Sequence, residues 1–215
     1  FSMIAIFIVL MFCGFIFISS MFTEIIFGAP DSPPTISVNS YEALSSVLSN
    51  KKYLGYTINL TSDIDCKGNS LTPFGTNQEP FTGTFNGNKH KISNAKIENT
   101  DSNTIGLFGC TRLANINNII LDNIDIDMSS TQNSENVTLY GLIAGKAEST
   151  TLLNIEIKNT CDIVVAKDYK YVVCIGGVAG AIMHSSFASN ISSHANISVT
   201  LTQTEKTEDS YIGGI

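Results

Sequence analysis

The sequence predicts an all-β protein, a parallel β-helix with three short strands per coil, and three observations lead there. A glycine-flanked apolar block, IGLFG at residues 105–109, returns as YGLIAG at 140–145, IGGVAG at 175–180 and YIGGI at 211–215. Glycines 106, 141, 176 and 213 therefore recur at intervals of 35, 35 and 37 residues, and a fixed period of that size means stacked structural units. Between the blocks, apolar residues alternate, as in Ile119/Leu121, Ile124/Ile126, Ile155/Ile157 and Ile197/Val199, the period-two signature of a strand with one buried face. Asn, Ser, Thr and Ile are abundant and Trp is absent, a composition suited to short strands joined by polar turns.

The elements follow in chain order. Residues 1–23 carry no charge, and MIAIFIVLMFCGFIFI at 3–18 is long enough for a signal-peptide core or a membrane span of about 20 apolar residues. Residues 1–28 are read as a signal peptide or a helical membrane anchor, and 29–39, with prolines 30, 33 and 34, as a linker. SYEALSSVLSN at 40–50 then places Tyr41, Leu44, Val47 and Leu48 on one helical face behind Ser40 as N-cap. Such a helix is expected to cover the open first coil and protect its strand edge.

The repeat domain is read as 40–215. The chain begins with Phe and stops within a further copy of the glycine block, so it is read as part of a longer protein with the last coil incomplete. Strands are expected at 104–109, 116–121 and 124–128, at 137–145, 152–157 and 163–166, and at 171–180, 182–189 and 197–201. A second motif, Ile92-x-Asn94-Ala95-x-Ile97-x-Asn99, has the form of Ile116-x-Asn118-Ile119-x-Leu121-x-Asn123 and Leu152-x-Asn154-Ile155-x-Ile157-x-Asn159, with a weaker fourth copy from Ile182. Gly106, Gly109, Gly141, Gly145, Gly176, Gly180 and Gly213 are expected at corners, where the backbone is left-handed or crowded. Aligned asparagines are expected to take the turn conformations and hydrogen-bond from coil to coil.

Few residues offer chemistry. The net charge is −7, with 19 acidic against 12 basic residues, and no basic run is interleaved with aromatics, which argues against nucleic-acid binding. Asp63 with Asp65, and Asp122 with Asp125 and Asp127, have spacings that a glycosidase or a calcium-assisted lyase could use, but strand alternation already accounts for them as turn caps and solvated faces. His90 reads as a surface residue between two lysines, and Arg112 is the only arginine. Neither a cofactor nor a metal is called for. Cys66, Cys110, Cys161 and Cys174 lack C-x-x-C spacing; they are read as buried thiols or as one or two disulfides in an exported chain. Asn59, Asn136, Asn190 and Asn196 open N-glycosylation sequons, with Asn136 in the most polar loop.

The wording and order of INLTSDIDCKGNSLTPFG, FTGTFNGNKHKISNAKIEN, IGLFG, NINNIILDN and the later glycine blocks resemble the GLUG-type repeat region of exported surface proteins, including adhesin-like proteins and immunoglobulin A metallopeptidases. The likeness covers residues 36–215. It implies a right-handed β-helix, secreted or on the cell surface, used for display or adhesion, and it transfers no catalytic residue. His90, His184 and His194 stand in no H-E-x-x-H motif.

The leading reading is a non-enzymatic adhesin, stalk or binding module whose partner is a surface protein or carbohydrate, with membrane contact only through an uncleaved N-terminal segment. The alternatives are the accessory region of a larger surface protease and a carbohydrate-active β-helix enzyme. Polar insertions at 127–136, 166–170 and 202–210 recur at one place in the period and are the expected binding loops.

Overall fold

The structure is a computed structural model that describes residues 32–98, 103–128, 137–169, 172–203 and 211–213. The chain divides into Phe1–Ser32 and Pro33–Ile215. The hydrophobic segment read as signal or anchor lies outside the described residues, as do Asn136 and most of the polar insertions. Among the described residues, no helix is long and apolar enough to cross a membrane.

Among the described residues, Pro33–Ile215 is all-β apart from one helix and a short 3-10 turn. The lead-in comprises β1 (Thr35–Val38), α1 (Tyr41–Leu48), β2 (Thr57–Leu60), β3 (Ile64–Asp65), β4 (Ser70–Leu71), β5 (Thr84–Asn86) and β6 (Lys91–Ile97). The repeats follow as β7 (Thr104–Ile105), β8 (Phe108–Arg112) and β9 (Asn115–Asp127), then β10 (Thr138–Gly141), β11 (Ala144–Glu148), β12 (Thr151–Ile157) and β13 (Asp162–Tyr169). The last are β14 (Val173–Gly176), β15 (Ala179–Met183), β16 (Phe187–Ser193), β17 (Asn196–Gln203) and β18 (Tyr211–Gly213). Pairing is parallel throughout the named strands, in one eleven-stranded, one four-stranded and one three-stranded sheet, a β-helix-like arrangement.

The second and third repeats carry four strands instead of the expected three, and in the first the stretch 104–109 is divided between β7 and β8 while 116–121 and 124–128 run together as β9. The stretch read as one strand at 137–145 is β10 and β11, which belong to different sheets. The bend falls at Leu142 and Ile143, both fully buried. Because the turn residues are themselves core, the apolar run continues through the corner and hides it from periodicity.

The glycine columns stack in register: Tyr140 pairs with Ile105 and Ile175, and Gly141 with Gly176, which pairs with Gly213. These glycines are needed for close approach. A Cβ on Gly141 would overlap the Ala179 backbone of the next coil, and one on Gly145 the Thr104–Ile105 backbone of the previous coil. In the two asparagine columns of the large sheet the left-handed backbone falls to Asn94, Asn118, Asn123, Asn154 and Asn190, with φ of 54°, 54°, 55°, 53° and 52°, while Leu113, Ser149 and His184 take it after β8, β11 and β15. Asparagine tolerates that region better than other residues with a Cβ.

The second motif serves two different columns. Ile92 stacks on Leu121 and Ala95 on Ile124, so Asn94 aligns with Asn123 and not with Asn118. The strand beneath Ile116 is β5, through Phe85. The fourth copy is also displaced: Leu152 pairs with Ala188 and Ile155 with Ile191, so Asn190, not His184, continues the asparagine column. Both bends of the large sheet impose one local demand, an apolar residue on each side of a left-handed polar one, so one pattern fits either.

The expected helix forms. Ser40 Oγ accepts from the Ala43 N–H at 3.2 Å, Leu44, Val47 and Leu48 are buried, and the Tyr41 hydroxyl donates to the Ser70 carbonyl of β4. Burying each such side chain contributes roughly 1.5–3 kcal/mol. Part of the expected linker is structured: β1 pairs with β2 from Thr35–Thr57 to Val38–Leu60. Phe74, Phe81, Phe85 and Phe108 fill the core of the early coils with ring centroids 5.0–6.4 Å apart, in the range where tilted aromatic pairs attract.

Candidate functional site

The two asparagine columns form hydrogen-bonded ladders. Asn190 Nδ2 donates to Asn154 Oδ1 at 2.8 Å, Asn154 to Asn118 at 2.8 Å, and Asn118 to Asn86 at 3.0 Å and to Asn117 at 2.9 Å. In the second column Asn123 donates to Asn94 at 2.7 Å, and Asn94 to Asp65 at 2.8 Å. The first ladder is part of the wall of an open groove of about 450 Å³. Lys89, Ile120, Glu156 and Ser192 line it beside the ladder asparagines.

The acidic candidates are engaged separately. Asp63 accepts the Lys91 N–H at 3.0 Å, and its Oδ1 lies 3.2 Å from His90 Nδ1; the backbone bond first, then His90, holds its carboxyl below the usual range. Asp65 accepts from Asn94 and from the Lys67 N–H, which lower it likewise. Asp122 accepts from Thr160 at 2.8 Å and from Lys91 Nζ at 3.0 Å, again with a lowered pKa. Asp125 differs: its Oδ1 is buried with no partner, and burial, followed by the charge of Asp162, pushes its carboxyl up. Among the described residues, no group of three or more His, Cys, Asp or Glu is placed to hold a metal ion.

The His90–Asp63 pair was not legible in sequence, because the two residues lie one coil apart. The only signal is the stacking of β3 on β6, which sets Asp63 beneath the turn before Lys91. A second charged cluster sits on the sheet of β8, β11 and β15. Glu148 pairs with Lys146 and Arg112, each at 3.2 Å, and lies 4.0 Å from His184. Lys146 first, then Arg112, depress the Glu148 carboxyl, while Arg112 Nε is buried without a partner. His194 Nδ1 lies 3.4 Å from Ser192 Oγ.

Cys66, Cys110, Cys161 and Cys174 are free thiols, the first three buried. Burial pushes Cys66 and Cys161 up to about 11 and raises Cys110 and Cys174. Of the sequons, Asn59 lies within paired strand β2 and Asn190 lies in the ladder. Both amide hydrogens of Asn196 are engaged, by the Asn159 carbonyl at 2.8 Å and Asp162 Oδ1 at 2.9 Å.

The polar insertions all connect one stacked strand column to another. β13 and β17 stack along their whole length, ending together at Tyr169 and Gln203, the last residues of β9 stack on the first residues of β13, and β10, β14 and β18 stack where the chain re-enters. Ala166–Tyr169, read as loop, belongs to β13.

No family model matches the chain, and no solved structure matches it. Over 135 residues, 57% of the chain, it is 28% identical to Halomucin of Haloquadratum walsbyi, of which it spans 1%. Over 52 residues, 24% of the chain, it is 44% identical to a Gly-rich membrane protein of Evansella cellulosilytica, of which it spans 6%.

Proposed function

We propose that the chain is a non-enzymatic, right-handed parallel β-helix module of a secreted or cell-surface protein, acting as an adhesin, stalk or binding unit. The observation that carries this reading is the regularity of the stack. The same residues return coil after coil, in the glycine columns and the asparagine ladders, while Asp63, Asp65 and Asp122 are each tied to separate partners within the stack. Repeat architecture of this kind builds extended surfaces in preference to enclosed reaction sites.

One relative is named a membrane protein and the other Halomucin, names that accord with a place at or outside the membrane. The likeness to GLUG-type repeats belongs to the same reading. So does retention at the membrane through the first 28 residues where they are not cleaved. The ligand is a surface protein or carbohydrate.

The test is surface labelling of intact cells that express the full chain, with an antibody against Pro33–Ile215, beside the same assay on lysed cells. Labelling of intact cells is expected; signal confined to lysed cells overturns the localisation. A crystal structure whose coils wind left-handed overturns the handedness.

A further inference from the structure

We propose that the groove over the first asparagine ladder binds a linear, neutral, hydroxyl-rich glycan strand lying along the stack. The inference deepens the binding-module reading and rests on it. Its basis is the hydrogen-bonding capacity left over by the ladder. A side-chain amide has two N–H donors and a carbonyl with two lone pairs. Asn154 uses one N–H towards Asn118 and one lone pair for Asn190, which leaves one donor and one acceptor. Asn190 retains one N–H and its carbonyl. Asn118 has both N–H groups engaged and keeps one lone pair.

The groove thus offers a row of groups that donate and accept, which suits hydroxyls because each hydroxyl does both. Beside the row, partly exposed Ile120 presents an apolar contact for the C–H face of a sugar ring, and Ser192 adds a hydroxyl. The Glu156 carboxylate is paired with Lys158, so the groove presents no unpaired acid, and the Lys89 ammonium in its lining can donate to hydroxyl oxygens.

Spacing separates a glycan from a peptide. The ladder advances one coil at a time, about 4.8 Å per step, whereas an extended peptide presents groups on one side every two residues, roughly 6.7 Å. A peptide running along the stack falls out of step after one coil. In an extended β-1,4-linked pyranose chain alternate residues are inverted, so like groups return every second residue, at about twice the strand spacing, and the chain keeps step with every second coil.

The experiment is titration calorimetry of the full chain with three probes: a β-1,4-linked glucose hexasaccharide, an α-1,4-linked glucose hexasaccharide, which coils, and an uncharged Ser/Gly hexapeptide. Saturable binding of the β-linked probe with Kd below about 1 mM, at least tenfold tighter than the other two, is expected. Ser192→Ile, at an exposed position, removes a hydroxyl and fills the groove. It should weaken that binding at least tenfold with an unchanged circular dichroism spectrum. Equal binding of the peptide, no saturable binding of the β-linked probe, or full binding by a folded Ser192→Ile protein overturns the proposal. If the glycan fails while the intact-cell assay succeeds, the groove assignment falls and the surface reading stands.

Discussion

Asp125 and Asp162 are direct partners across the parallel pairing of β9 and β13, carboxylate stacked on carboxylate. Lys96 pairs with Asp125 from the other side, and Asp127 lies two residues along the same strand. Burial raises the Asp125 pKa, Asp162 and Asp127 add to the rise, and Lys96 opposes it. Because the folded pKa lies above the unfolded one, the stabilising contribution of this group is complete below the ordinary carboxylate range and is lost as pH rises through the folded value. Asp125→Asn removes the charge repulsion and should stabilise the protein at pH 7 by about 0.5 kcal/mol, the scale for like charges directly opposed across strands. Urea denaturation from pH 7 to pH 3 should show the gain shrinking as the wild-type carboxyl protonates. A gain independent of pH, or a loss at pH 7, contradicts the stacked-charge account.

The ladder yields a second prediction. Asn154→Ala removes the donor to Asn118 and the acceptor for Asn190, and places a Cβ-bearing residue without a local hydrogen bond at φ 53°. The lost hydrogen bonds and the left-handed backbone each cost roughly 1–2 kcal/mol. Asn154→Gly loses the hydrogen bonds but meets no backbone penalty, so it should fall between wild type and alanine in denaturant midpoint. If alanine and glycine are equally destabilised, the left-handed strain is not what selects asparagine there.

Much of this fold was legible because stacking imposes identity on residues one coil apart. The glycine column and the helix behind Ser40 were read directly, the first from a fixed period and the second from one apolar face and a cap. The extra strand was hidden because Leu142 and Ile143 turn the chain while remaining in the core. Asn94 shares its pattern with Asn118 and Asn154 yet stands in the column of Asn123, because both bends of the large sheet accept the same apolar–asparagine–apolar pattern, and only hydrogen-bond register tells them apart. The groove was not legible at all. It depends on how far the ladder side chains and the Lys89 turn stand from the sheet, which no spacing in the sequence encodes.

The glycine columns can be tested against a glycine that is not crowded. On Gly141 a new Cβ would meet backbone atoms of Ala179 and Ala144, which belong to stacked strands and cannot swing aside. Gly68 has no heavy atom within 4 Å of that position, but its φ is +80°. Gly141→Ala is therefore expected to cost about 3 kcal/mol, at the upper end for overpacking, and Gly68→Ala about 1 kcal/mol, from backbone strain alone. Thermal denaturation of the two variants should rank them in that order; the reverse ranking contradicts close approach as the reason for the repeated glycines.

The four described thiols should differ in reactivity by burial. Alkylation requires the thiolate, and burial holds Cys66 and Cys161 up at about 11, while Cys174 is only half-buried with a smaller rise. The Ile124 N–H also points at Cys161 Sγ at 3.4 Å, which fixes that sulfur inside the corner between β9 and β13. Iodoacetamide at pH 8 followed by peptide mass spectrometry should label Cys174 first and leave Cys66 and Cys161 unmodified until denaturant is added. Labelling of Cys161 at the rate of Cys174 in the folded protein would mean that the β9–β13 corner opens on the timescale of the reaction, and that Asp125, one residue beyond the Ile124 amide, reaches water by the same route.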